Sequence, residues 1–300
     1  MVTKCRRSLS FPNHPNSLPK DSKHFPKKAS HFRSTSLPCT SHPLIYQLKD
    51  HLTHLKCWAD PSKPETRTSA WLCDGLARLK TVLDYLDDIL LLPQTQDSLR
   101  RQPDWIEKLL EDFLRFVDAY GTFQTLVLAL KQEHSAAQVA VRRKDESKVE
   151  TYAKAMRKME KEMGDLVSTV RCTRSPSNGH VYNVDAELVE VILDVKEVTV
   201  LVSSVLFSGI SLSFATSKKP SWIWSRFGKK GRVEEGIQEF KQVGMEGCLW
   251  GLRKKGDEEV RMVLKRMNEL EDWIVKIGTG SERVFRSLIT TRVSLLDVLT

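Results

Sequence analysis

Residues 198–217 read VTVLVSSVLFSGISLSFATS, 20 positions without a charge, and Lys218, Lys219 and Pro220 follow at once. Either this stretch crosses a bilayer or it is the buried helix of a helical bundle. Length favours the bilayer, because about 20 apolar residues cover the hydrocarbon core, and the lysines that follow would serve as anchors at its cytoplasmic edge. Composition opposes it. Eight of the 20 residues are Ser or Thr (Thr199, Ser203, Ser204, Ser208, Ser211, Ser213, Thr216, Ser217), a density that makes insertion marginal even when hydroxyls bond back to helix carbonyls. Phase decides. The preceding DAELVEVILDVKE (185–197) carries Leu188, Val191, Ile192 and Val195 on the helical stripe that continues through Val198 and Val202. One long helix, exposed at its start and enclosed later, accounts for both halves. Ser204, Ser208 and Ser211 then form a narrow track along which another helix approaches closely.

The rest of the chain from Ser41 onward carries the same period. SHPLIYQLKDHLTHL (41–55) offers Ser41 as N-cap, Pro43 in the first turn and Leu44, Leu48, Leu52 and Leu55 on one face. A second helix repeats Leu72, Leu76, Leu79, Leu83, Leu86 and Leu90, with Pro93 as its stop. A third starts at PDWIEKLL (103–110), with a kink expected at Gly121. Val149, Tyr152, Met156, Met159, Met163, Leu166 and Val170 alternate steps of three and four, a heptad seam that requires a partner helix. SPSNGH (175–180) reads as a loop. After the long apolar helix two more are expected, from Glu258 to about Ile277 and from Ser281 to Leu299, with Gly278-Thr279-Gly280 as the stop between them and Ser281 as a cap. The class is all-α: an elongated multi-helix bundle with long antiparallel helices (41–300) behind a disordered N-terminal tail (1–40).

The formal charge of +9 comes mostly from that tail. Residues 1–40 hold eight Lys or Arg and one acid, Asp21, so the remaining 260 residues carry only about +2. Nucleic acid is therefore not expected as a partner. The tail contains five of the twelve prolines and seven serines, too little apolar surface to offset its ordering entropy. Its basic, Ser-rich composition also fits a transit peptide. Six scattered cysteines without a Cys-x-x-Cys pair, and no apolar run in residues 1–30, suggest reduced thiols in the cytoplasm, with the chloroplast and a membrane surface as alternatives.

Catalytic and cofactor motifs are missing. No phosphate-cradling Gly-rich loop, nucleophile elbow or His-Glu-x-x-His occurs, and no cofactor is expected. His51, His54 and Cys57 follow one another at steps of three, which drift around a helix and make a poor metal set. Asp84, Asp87 and Asp88 share a face as magnesium-binding aspartates do, but without a second such motif they read as a solvated acidic face.

Two segments stand out as interaction sites. RSLSFP (7–12) and RSTSLP (33–38) repeat Arg-Ser-x-Ser-x-Pro, placing Arg7, Ser10 and Pro12 in register with Arg33, Ser36 and Pro38. The pattern is similar to the phosphoserine motif read by 14-3-3 adaptor proteins. Phosphate adds about −1.5 to −2 charges for an arginine-rich groove, and 26 residues of flexible chain span roughly 25–30 Å, which suits bivalent engagement. The second segment, KKPSWIWSRFGKKGR (218–232), interleaves Trp222, Trp224 and Phe227 with Lys218, Lys219, Lys229 and Lys230 and contains no acid. That composition suits contact with an anionic membrane surface.

Residues 31–56, 75–96, 105–122 and 283–300 together resemble a plant-specific family described as a domain of unknown function and grouped with the BYPASS-like proteins. The motifs that carry the resemblance are Arg-Ser-x-Ser-Leu-Pro ahead of Ser-His-Pro and the closing Thr-Arg-Val-Ser-Leu-Leu. The resemblance implies a helical fold and a link to root and shoot development, and it implies no catalytic residues. The expected function is that of a non-enzymatic regulatory or scaffold protein, with a membrane-anchored protein as the alternative.

Overall fold

Proline at a first helical position costs no hydrogen bond and presets φ, and three helices here begin that way. In the computed structural model, which describes residues 42–60, 67–173, 186–215, 236–244, 249 and 251–300, α1 is Pro43–Trp58, α3 is Pro93–Leu99 and α4 is Pro103–Arg142. Ser41 lies outside the described residues. The capping side chain of α1 is His42, whose Nδ1 accepts the Leu44 N–H at 3.3 Å. Pro93 does not merely stop α2 (Ser69–Leu90); it opens α3. Gly121 lies within an unbroken 40-residue helix. Its neighbour there is Phe285, 3.7 Å from where a Cβ would stand.

The heptad seam is α5 (Glu146–Cys172), and Val149, Tyr152, Met156, Met159, Met163, Leu166 and Val170 are all buried. The opening stretch belongs to α6 (Ala186–Phe214), one helix with the charged segment before it. No residue from Val198 to Ala215 is exposed, while Ala186, Glu190 and Glu197 are. Among the described residues no helix is long and apolar enough to cross a membrane. The loop expected at 175–180 lies outside the described residues.

The end of the chain differs from expectation. A single helix of 43 residues, α8 (Asp257–Leu299), replaces the two expected, and Gly278-Thr279-Gly280 lies inside it. The glycines serve packing. A Cβ on Gly278 would stand 3.1 Å from Val127 Cγ1, and one on Gly280 3.2 Å from Leu76 Cδ1. Ser281 caps nothing; it is buried, donates to the Gly278 carbonyl at 2.9 Å and accepts from Gln124 Nε2 at 2.6 Å. A short helix, α7 (Gln238–Val243), and a 3-10 turn at Leu252–Lys254 escape the sequence reading. Glu239 of α7 accepts the Ser69 N–H (2.8 Å) and Oγ (3.1 Å), satisfying a free donor at the start of α2.

Side-chain pairs give the directions. Ser287 with Asp84 and Ser294 with Asp87 set α2 and α8 parallel, whereas Gln124 with Ser281 and Gln138 with Asn268 set α4 and α8 antiparallel. Lys196 with Asp112 and Ser203 with Tyr120 make α4 and α6 parallel. Lys49 with Glu187 and Lys56 with Asp194 do the same for α1 and α6. Thus α1, α4 and α6 run one way and α2 and α8 the other, with parallel neighbours arising between elements distant in sequence. One continuous apolar core links α1, α2, α4, α5, α6 and α8. At its centre Phe207 of α6 meets Phe123 and Tyr120 of α4 at centroid separations of 5.0 and 5.7 Å. Burial of each such ring contributes about 1.5–3 kcal/mol.

Candidate functional site

Both segments that the sequence marks as interaction sites lie outside the described residues: Arg7, Ser10, Pro12, Arg33, Ser36 and Pro38 in one, and Lys218, Lys219, Trp222, Trp224, Phe227, Lys229 and Lys230 in the other. The described residues do fix the two ends that flank the second in sequence. Ser213 near the end of α6 donates its hydroxyl to the Gly209 carbonyl (2.7 Å) and accepts the Ile237 N–H (2.7 Å). A Cβ on Gly236 would stand 2.7 Å from Ser213 N, so only glycine admits this approach. Phe214 meets Phe240 edge-on at 5.8 Å. The end of α6 and the residues that open α7 thus meet at one junction.

The ionisable groups inside the bundle hold structure. Lys196 Nζ lies 2.6 Å from Asp112 Oδ2, with only 8% and 16% of the two side chains exposed. His134 is fully buried; its Nε2 donates to the Met267 carbonyl at 2.8 Å, which leaves Nδ1 to accept from the Tyr152 hydroxyl at 3.4 Å. Burial holds the imidazole below its ordinary pKa, opposed by the Met267 bond and by Glu271. Burial raises the phenols of Tyr120 and Tyr152. Each group is held by these partners.

The acidic and metal-like patterns resolve differently from their spacing. The expected solvated acidic face is in fact shared with α8: Asp84 accepts from Ser287 (2.9 Å) and pairs with Lys80, and Asp87 accepts from Ser294. Asp88 alone of the three is exposed. His51 stands against Tyr85 at 4.8 Å between centroids, and His54 lies 3.9 Å from Asp50. Among the described residues no His, Cys, Asp and Glu group could hold a metal ion.

A groove of about 510 Å³ runs between α2 and α8. From α2 it takes Cys73, Leu76, Ala77 and Lys80, and from α8 Lys276, Thr279, Gly280 and Arg283. Each set has the spacing i, i+3, i+4, i+7, one face of one helix. The lining contains three cations and no carboxylate. Lys80 is paired with Asp84, and Lys276 stands 4.3 Å over the ring of Trp273. Among the described residues neither Lys276 nor Arg283 pairs with an acid. Sequence reasoning misses this site because a helix stop at Gly278-Thr279-Gly280 separates Lys276 from Arg283; the seven-residue spacing gains meaning only when α8 is continuous.

A family model described as Protein BPS1 matches residues 75–298. The match begins within α2, so the 31–56 motif lies outside it. No curated protein and no solved structure gives a match.

Proposed function

The chain belongs to the BPS1 family of plant-specific BYPASS-like proteins, and on that footing we propose that it is a non-enzymatic regulatory scaffold in root and shoot development. Membership in this family points to a regulatory role in development. The finer reading rests on one observation, the duplicated Arg-Ser-x-Ser-x-Pro in residues 7–12 and 33–38. Phosphorylation of Ser10 and Ser36 creates two docking points for a 14-3-3-like adaptor, and the helical body is the cargo thereby held in the cytoplasm. Two motifs on one chain convert the second contact into an intramolecular one and raise avidity by about 10²–10⁴ over a single site.

The test is binding of full-length protein, phosphorylated at both serines, to a purified 14-3-3 dimer. The expected result is tight binding that falls by at least about tenfold in Ser10→Ala or Ser36→Ala and vanishes in the double variant. Equal, weak binding of the phosphorylated and unmodified proteins refutes it.

The composition of residues 218–232 favours a second reading: Trp222, Trp224 and Phe227 interleaved with Lys218, Lys219, Lys229 and Lys230, without an acid, suit peripheral contact with anionic lipid. Co-sedimentation with vesicles decides between the two. Pelleting that requires anionic lipid and is lost in Trp222→Ala/Trp224→Ala supports the membrane reading, and negligible pelleting with either lipid removes it.

A further inference from the structure

The α2–α8 groove has no part in either reading, yet its chemistry is that of a binding site. Ligand pockets are concave, mostly apolar and furnished with a few convergent polar groups, at volumes of about 300–1,000 Å³. This one measures about 510 Å³ and is lined by buried Leu76, by Ala77 and Val275 at its open side, and by the side chains of Lys80, Lys276 and Arg283. Gly280 shapes the floor by letting α8 approach Leu76, since a Cβ there would stand 3.2 Å from Cδ1.

Charge identifies the class of occupant. Lys80 already has Asp84. The threonine hydroxyls are committed, Thr81 to the Ala77 carbonyl and Thr279 to the Val275 carbonyl, so recognition falls to the cations. Two of these, Lys276 and Arg283, lack an acidic partner among the described residues, and together they match the charge of about −1.5 to −2 on a phosphate monoester. A carboxylate would leave one of them uncompensated. Arg also suits phosphate geometrically, through its planar fork of donors.

We propose that this groove binds a small organic phosphate with an apolar body, Arg283 and Lys276 holding the phosphate and Leu76, Ala77 and Val275 covering the body. Cys73, half-buried in the lining, reports occupancy directly. Cys57 and Cys172, exposed and outside the groove, serve as internal controls.

The experiment titrates octyl phosphate, kept below its micellar concentration, into the full-length protein. Calorimetry follows binding, and peptide-level mass spectrometry follows iodoacetamide alkylation of each cysteine. Saturation at one molecule per chain is expected, with Cys73 alkylated at least about fivefold more slowly and Cys57 and Cys172 unchanged. Arg283→Ala and Lys276→Ala should each weaken binding about tenfold, the scale of one charge-assisted hydrogen bond (about 1.4 kcal/mol). Both side chains are exposed, so an unchanged thermal melt certifies either variant. Inorganic phosphate and 1-octanol should each bind at least about tenfold more weakly. Absence of saturation, equal slowing of all three cysteines, or full protection of Cys73 in Arg283→Glu overturns the proposal. Equal affinity for inorganic phosphate overturns the apolar half of it, and equal affinity for octanol the anionic half.

Discussion

A methyl group at Gly75 would stand 2.2 Å from Cζ2 of Trp58, a clash with an indole itself stacked on Trp71 at a centroid distance of 4.2 Å. Helix propensity favours Ala over Gly by about 1 kcal/mol, but here the indole cannot yield without breaking its stack. Gly75→Ala is therefore expected to destabilise by about 1–3 kcal/mol, read as a lower midpoint in urea denaturation. His134 gives a test by pH. Its folded-state pKa lies below the ordinary value of 6.5 because burial penalises the charged ring, so the unfolded chain binds the proton more readily. Its contribution is complete above pH 6.5 and shrinks as pH falls, by up to about 1.4 kcal/mol per pH unit. His134→Gln should flatten the stability profile between pH 6.5 and 5 relative to wild type; an unaltered slope would show that the imidazole titrates normally.

Between elements, the pairing of Lys196 on α6 with Asp112 on α4 is the most consequential polar contact. Removing one partner strands a buried charge and costs about 3–5 kcal/mol, whereas replacing both by apolar residues is often neutral. Asp112→Ala should accordingly destabilise far more than the double variant Asp112→Leu/Lys196→Met, a comparison made by a denaturation cycle. At the junction of α6 and α7 the backbone itself is the obstacle. Because the nearest atom to a Cβ on Gly236 is Ser213 N, Gly236→Ala must open the junction and lose the Ile237 N–H bond to Ser213. A cost of about 1–3 kcal/mol is expected, with faster amide exchange at Ile237 as the local readout. Gly278 and Gly280 teach the same lesson: glycine near a helix end reads as a stop, yet inside α8 it is a point of close approach to α4 and α2.

For the molecule as a whole, the shared core is the governing fact. Residues of α1, α2, α4, α5, α6 and α8 contribute to one apolar cluster, and their pairings tie the first helix to the sixth and the second to the last. Loss of tertiary structure should then take secondary structure with it. Far-UV circular dichroism and tryptophan fluorescence are expected to trace one urea transition with a common midpoint; separate midpoints would divide the core. Periodicity alone, read off the residues, determined that the chain is helical, which faces are apolar, that the α5 seam is covered and that residues 198–214 continue the helix begun upstream, because a 3.6-residue repeat is a local property. Only the tertiary structure decided which helices run side by side, why three mid-helix glycines are needed, and that Lys80, Lys276 and Arg283 line one groove. Those facts depend on contacts across about 200 residues of sequence, where no local pattern reaches.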